Sequence, residues 1–316
     1  MKRKTGFILF NMIAAVALAA GWVQASSQAG TSAAQFLKIG AGSKAAAMAE
    51  AYTAVADDVY SVYYNPAGLT RATVPEFAGQ YVSYFQDSGY NFLAFAYPFG
   101  REKDYSKHAL GLSIYTFRVN DLERRTQDTD LAAGLFDSSD MAYALSYSYR
   151  LKRELGLGAT LKYVRSKIDD VSAGAVAVDV GAQYQPNRDW PLYLGLNLRN
   201  MGSRMKFGDE SDPLPFGVAF GAGYVFFSDL KLDLDVVKYR DTDVYFSGGA
   251  EYRKAFMDKL EGSLRAGYTT HYQDIDGFKG FATGAGLRYS SVGFDFAWVP
   301  FGDLGNTFRY TLSVKF

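Results

Sequence analysis

Long runs in which large apolar and polar side chains alternate constrain this chain more than anything else in it. Met141, Tyr143, Leu145, Tyr147 and Tyr149 alternate with Ala142, Ala144, Ser146 and Ser148. Leu192, Leu194, Leu196 and Leu198 alternate with Tyr193, Gly195, Asn197 and Arg199, and Leu230, Leu232, Leu234 and Val236 with Lys231, Asp233 and Asp235. Val292, Phe294, Phe296 and Trp298 alternate with Gly293, Asp295 and Ala297. A period of two places the two sets on opposite faces of a strand. A soluble sandwich also buries one face, but its strands average about five or six residues. The runs here approach the ~9–11 residues that cross a bilayer at a tilt.

Such segments are expected near residues 76–87, 89–98, 107–118, 139–150, 154–166, 174–185, 190–200, 213–226, 229–239, 243–254, 258–270, 278–289, 291–299 and 307–316. They make an even set, as single-chain bacterial barrels require. With both ends of the barrel facing the periplasm, the long stretches Val119–Ser139, Met201–Asp212 and His271–Gly277 fall outside the cell. The tight links at Leu151–Arg153, Phe227–Ser228 and Ser290–Ser291 fall inside, the asymmetry expected of an outer-membrane barrel. The last segment carries Phe308, Tyr310, Leu312, Val314 and Phe316 on one face and ends on an aromatic carboxyl terminus. It reads as the closing strand, paired with the one near Glu76–Asp87, and its aromatic face as a membrane-insertion signal. Trp190, Trp298, Phe226, Phe227 and Phe301 near strand ends fit interfacial girdles.

Composition agrees: 24 Tyr, 24 Phe and 32 Gly against 8 Pro favour strands over helices. Lys2, Arg3 and Lys4, the apolar run Phe7 to Ala20 and Val23-Gln24-Ala25 form a Sec-type leader, residues 1–25, expected to be cleaved after Ala25. Its loss takes three cations from a chain evenly balanced at 33 basic and 33 acidic residues, leaving a mildly acidic protein that does not suit nucleic acid. The absence of cysteine removes disulfides and lipid attachment at the cut. The two histidines, His108 and His271, stand outside any catalytic or zinc-binding motif, and Asp274-Ile275-Asp276-Gly277 lacks most ligands of a calcium loop. No catalytic residue, metal or cofactor is expected.

Residues 26–75 break the pattern. Ser43-Lys44-Ala45-Ala46-Ala47-Met48-Ala49-Glu50-Ala51 favours a helix with Ser43 as N-cap, and its small side chains suit a confined space. Asn65 is placed to cap a turn in which Pro66 supplies the first φ and Gly68 permits closure. Ahead of a barrel at 76–316, these residues are expected to form a plug in the lumen. Asp57 and Asp58 would hold it by pairing with lumen bases such as Arg199 or Arg265.

Ala51-Tyr52-Thr53-Ala54-Val55-Ala56-Asp57-Asp58, followed by Tyr63-Tyr64-Asn65-Pro66-Ala67-Gly68-Leu69, resembles the hatch motif of the FadL family of outer-membrane transport barrels, and more closely its PorV/PorQ branch. Where members usually carry an Arg and glycines before the Ala-Tyr-Thr-Ala stretch, this chain has Lys44, Ala47, Ala49 and Glu50. The resemblance implies a fourteen-stranded antiparallel transmembrane barrel with an N-terminal helical hatch in which Asp57, Asp58, Asn65, Pro66, Ala67 and Gly68 are structural or gating residues. It implies passive uptake of small hydrophobic compounds past the hatch, through a largely apolar pocket. The alternative it implies is a type IX secretion component that handles cargo proteins. Outer-membrane lipid, a hydrophobic ligand and secretion-system proteins are the corresponding partners. Leu196→Arg on the lipid face is expected to cost ~2–4 kcal/mol, and Asn197→Arg on the lumen face much less.

Overall fold

The computed structural model describes residues 30–84, 88–102, 104–125, 127, 132–187, 190–227, 229–272 and 275–316. The leader to Ala25, Asp87, Ser228 and Asp274 lie outside them. Sixteen strands follow one another among the described residues: β1 Glu76–Ser83, β2 Ser88–Arg101, β3 Ser106–Arg124, β4 Gly134–Lys152, β5 Leu155–Ile168, β6 Val171–Tyr184, β7 Leu192–Gly202, β8 Met205–Phe207, β9 Glu210–Asp212, β10 Gly217–Phe226, β11 Leu230–Tyr239, β12 Tyr245–Met257, β13 Leu260–Thr269, β14 Phe281–Tyr289, β15 Val292–Pro300 and β16 Asn306–Lys315. All but the β8–β9 hairpin join one closed antiparallel barrel of fourteen strands, sealed where β1 pairs with β16 from Glu76↔Lys315 to Ser83↔Phe308. Closure leaves no unpaired edge, which a bilayer does not tolerate.

Each expected strand is present, and the alternation sets its faces. Tyr143, Leu145 and Tyr147 point outward while Ala142, Ala144, Ser146 and Ser148 are buried; Leu232 and Leu234 point outward while Lys231, Asp233 and Asp235 are buried. Phe308, Tyr310, Leu312 and Phe316 are exposed on the outer wall. Leu196 is 44% exposed there. Leu196→Arg is therefore expected to lower stability by ~2–4 kcal/mol near mid-membrane, read as a shifted urea midpoint for refolding into vesicles.

Short turns gather at the end where β1 begins and β16 ends, for example Lys152 to Leu155 and Tyr289 to Val292, and longer connections at the other. In outer-membrane barrels the short-turn end faces the periplasm. Two expected loops hold more strand than their composition indicates. β3 and β4 continue past the rim to Arg124 and from Gly134, across a register shift between Val119 and Leu122 where Asp121 has φ 57°. Residues of the Met201–Asp212 stretch fold back as the β8–β9 hairpin. The charged run at Asp121–Arg125 closes exposed ion pairs, Arg124–Asp169 at 2.5 Å and Arg125–Glu123 at 2.6 Å, of small energetic weight.

One girdle expectation fails. Trp190 and Phe227 are exposed at the short-turn end, but Phe301 is 5% exposed and packs inward on Tyr84 and Tyr272. The apolar core lies inside the barrel, because lipid offers the outer wall no reason to pack. Tyr52, Val55, Tyr60, Tyr63 and Tyr64 of the N-terminal segment meet Tyr90, Phe92 and Tyr115 of the wall there.

Candidate functional site: the hatch and its seat

Residues 30–75 fold inside the lumen with little regular structure: single helical turns at Gln35–Lys38, Ser43–Ala47, Ser61–Tyr64 and Pro66–Arg71. Segments this short do not persist on propensity, so packing holds them. The helix expected to run from Ser43 toward Ala51 stops at Ala47, and Gly42, not Ser43, stands at its N-cap. Ser43 is turned to the wall instead, its N–H donating to Thr311 Oγ1 at 3.0 Å. The stop coincides with the departure from the family pattern: Ala49 and Glu50 occupy left-handed backbone, φ 52° and 64°, where glycine would be unstrained. Glu50 is held there by its N–H to Ala45 O at 2.9 Å and by its carboxylate 3.4 Å from the Arg309 guanidinium.

The Asn65-Pro66 turn forms as expected: Asn65 Oδ1 accepts from Ala67 N at 3.2 Å with Pro66 at the first position. Its amide does more than cap, donating to Thr53 O within the hatch and to Ala182 O of β6, both at 3.0 Å. Gly68 is needed for close approach, since a β-carbon there would overlap Ala56 O. The turn thus packs directly on the residue before Asp57, bringing the two halves of the motif together.

Wall side chains complete the hydrogen bonding that this irregular backbone cannot supply itself. Asp235 accepts from Tyr52 N and Thr53 N at 3.1 and 3.0 Å; Gln183 donates to Ala56 O at 2.9 Å. Asn197 and Arg199 donate to Tyr64 O at 2.7 and 2.9 Å, and Ser148 to Pro66 O. Asn197 is fully buried by this contact. The expectation that Asn197→Arg is cheap is therefore corrected: the lumen at this level is filled, not wet. Glycines line the wall where the hatch backbone comes closest. A β-carbon would overlap Thr53 O at Gly195, lie 2.6 Å from Met48 O at Gly249, and lie 2.5 Å from Ala67 N at Gly158.

Asp57 and Asp58 do pair with bases, but not with Arg199 or Arg265. Lys44 Nζ lies 3.3 Å from Asp57 and 2.9 Å from Asp58, and Lys231 Nζ of β11 lies 3.0 Å from Asp57. Tyr52 donates its hydroxyl to Asp58 at 2.7 Å. Arg199 is taken by Tyr64 and Tyr239, and Arg265 by Glu251 and Asp295 at 2.7 and 2.6 Å. Burial opposes ionisation of Asp57, yet the Lys231 and Lys44 ammoniums outweigh it and hold its carboxyl well below the usual carboxylate range. Burial likewise opposes the Lys44 charge, and Asp57 and Asp58 overcome it, raising its pKa. Lys231 lay on a polar face readable from sequence; that it meets Asp57 depends on how the hatch sits.

Cavities border the hatch among the described residues. A 320 Å³ cavity at the short-turn end is lined by Arg71, Arg150, Arg153, Asp104 and tyrosines. A 120 Å³ one surrounds Lys44, Asp57, Asp58, Glu251 and Arg265, and a 30 Å³ one lies between Glu50, Tyr245, His271 and Arg309. His271 packs between Tyr245 and Tyr272, and burial pushes its pKa down to about 4. No grouping of three or more metal-ligand side chains occurs among the described residues.

Solved structures of hydrocarbon channels and of a FadL homologue share this fold. The CymD monoaromatic hydrocarbon channel aligns over 87% of this chain and 96% of its own at 12% identity and a TM-score of 0.61. The toluene transporter TbuX of Ralstonia pickettii aligns over 87% and 97% at 12% identity and 0.58. A FadL homologue of Pseudomonas aeruginosa aligns over 84% and 95% at 12% identity and 0.54. The family model described as "Type IX secretion system protein PorV" matches residues 23–240, and the chain belongs to that family. Comparison with curated proteins found no match.

Proposed function

We propose that this barrel is a type IX secretion component that handles cargo proteins at the outer membrane, with its lumen closed by the hatch. The observation that carries this reading is the seat itself. Asp235, Gln183, Asn197 and Arg199 bind hatch backbone, and glycines let it lie directly on the wall at Thr53, Met48 and Ala67. A barrel closed in this way acts through the surfaces it presents, and membership of the PorV family supports the same role. Asp57, Asp58, Asn65, Pro66, Ala67 and Gly68 then serve to keep the hatch in place, and residues 1–25 to direct export through the Sec route.

A second reading, passive uptake of small hydrophobic compounds, is favoured by the aromatic contact of Tyr60, Tyr63, Phe92 and Tyr115 between hatch and wall. Deletion of the gene separates the two. Loss of cargo from the cell surface with unchanged uptake of fatty acids and aromatic hydrocarbons is the expected result, and from the wild-type strain the barrel is expected to co-purify with secretion partners. Lost uptake with intact surface display would replace the first reading by the second.

A further inference from the structure

None of Lys44, Lys231, Asp57 and Asp58 lines the 320 Å³ cavity at the short-turn end, although Arg71, which does, adds to the positive field on Asp57. Arg71 ends the Pro66–Arg71 turn of the hatch; Arg150 and Arg153 flank the β4–β5 turn, and Tyr105 precedes β3. Among the described lining residues Asp104 is the one carboxylate, 3.5 Å from Arg153 in an exposed pair, against the guanidiniums of Arg71, Arg150 and Arg153. The Arg71 guanidinium carbon lies over the Tyr193 ring at 4.1 Å from its centroid, and that of Arg150, 8% exposed, over Tyr105 at 5.4 Å. A ring face beneath a guanidinium helps to hold it in place. Planar guanidiniums are matched by carboxylate or phosphate oxygens. The cavity volume falls at the lower end of small-ligand pockets, ~300–1,000 Å³.

We propose that this cavity is a binding site for a small oxyanion, carboxylate or phosphate, that bridges Arg71 of the hatch to Arg150 and Arg153 of the wall. The ligand joins plug to barrel at the point where residues 72–75 lead into β1, so its binding steadies that exit. Gln183 and Gln185 add neutral amides to the lining and Tyr184 a phenol. The site does not depend on the secretion reading.

Trp190, between β6 and β7, provides a nearby fluorescence reporter. The full chain in detergent is titrated separately with inorganic phosphate and with citrate at constant ionic strength held with sodium chloride, by fluorescence and calorimetry. Saturable binding of at least one anion is expected, weakened tenfold or more in the double variant Arg71→Gln, Arg150→Gln and unchanged in Arg118→Gln at the opposite rim. The preferred probe tells carboxylate from phosphate. Folding of each variant is checked by its heat-dependent gel mobility; should the double variant not fold, Arg71→Gln alone serves, with a fivefold loss expected. No saturable binding of either anion to the wild type up to 10 mM, or binding that survives loss of Arg71, overturns the proposal.

Discussion

In Gly195→Val the hatch is expected to lose its place in the lumen. Gly195 faces inward on β7, and a β-carbon there would overlap Thr53 O and lie 2.7 Å from Thr53 C and 2.8 Å from Ala54 Cα. The obstacle is backbone, and it cannot step aside easily. Thr53 N is held by Asp235, and Thr53 O accepts from Asn65. Overpacking of a filled interior typically costs ~1–3 kcal/mol, and the two methyls of valine place this substitution at the upper end. The barrel, whose strand pairing is untouched, is expected to assemble with the hatch displaced. Trypsin then cuts at Lys44 and Arg71 in the variant but not in the wild type, and ion conductance in a planar bilayer rises. Gly248→Val is the control: its β-carbon would meet only the flexible Leu234 side chain on the outer face, at 3.2 Å. Equal protection of the hatch in both variants would show that the seat tolerates bulk and that glycine there is incidental.

Asp57→Leu is expected to loosen the hatch from the other side. The Lys231 side chain is 6% exposed and points at the Asp57 carboxylate. Removing that carboxylate leaves a buried ammonium uncompensated, a change on the order of 3 kcal/mol. Adding Lys231→Met to the same chain is expected to restore most of the loss, because two apolar side chains replace a pair whose desolvation was itself unfavourable. A double variant no better than Asp57→Leu would show that Lys44 and Asp58 carry the latch alone. The pH dependence follows from the same groups. Asp57 titrates below its unfolded value of about 3.9, so its contribution is complete above that pH and is lost as pH falls through the lower folded pKa. Lys44 titrates above its unfolded value of about 10.4, so its contribution is complete below that pH and fades only in stronger alkali. The Asp57–Lys44 contribution to hatch protection, read as the difference in hydrogen exchange between wild type and Asp57→Leu, should be level from about pH 5 to 9 after correction for intrinsic rates. A protection loss between pH 5 and 7 would point to another titrating group.

The barrel could be read from the sequence because each of its strands faces two fixed solvents. Leu232 and Leu234 meet lipid and Asp233 and Asp235 meet the lumen whatever their neighbours are, so a period of two suffices to orient them. The closing strand was legible for the same reason. Phe301 follows the same rule: it continues the inward series of Asp295, Ala297 and Val299 and bridges Lys279, so the period of two, and not its place at a rim, decides its face. The hatch motif was recognisable as a motif, and the Asn65 cap followed from local geometry. The partners of Asp57 and Asp58 did not. Lys44 lies in a stretch that composition marks only as helical, and Lys231 is far away in sequence, so no local pattern connects either to the acids.

By itself, then, the sequence determined the barrel, its strand count, its faces and which two strands meet at its seam, β1 and β16, all consequences of alternation between two solvents. It also determined the turn at Asn65-Pro66, whose bonds span two residues. Only the tertiary structure decided how the hatch is held. Short turns without a period of their own take their conformation from what surrounds them: the glycines beneath Thr53 and Met48, the bases facing Asp57, and the arginines gathered around Tyr193 and Tyr105. These contacts join residues distant in sequence, and their distances are set by barrel width and register, which become definite when the ring of strands closes.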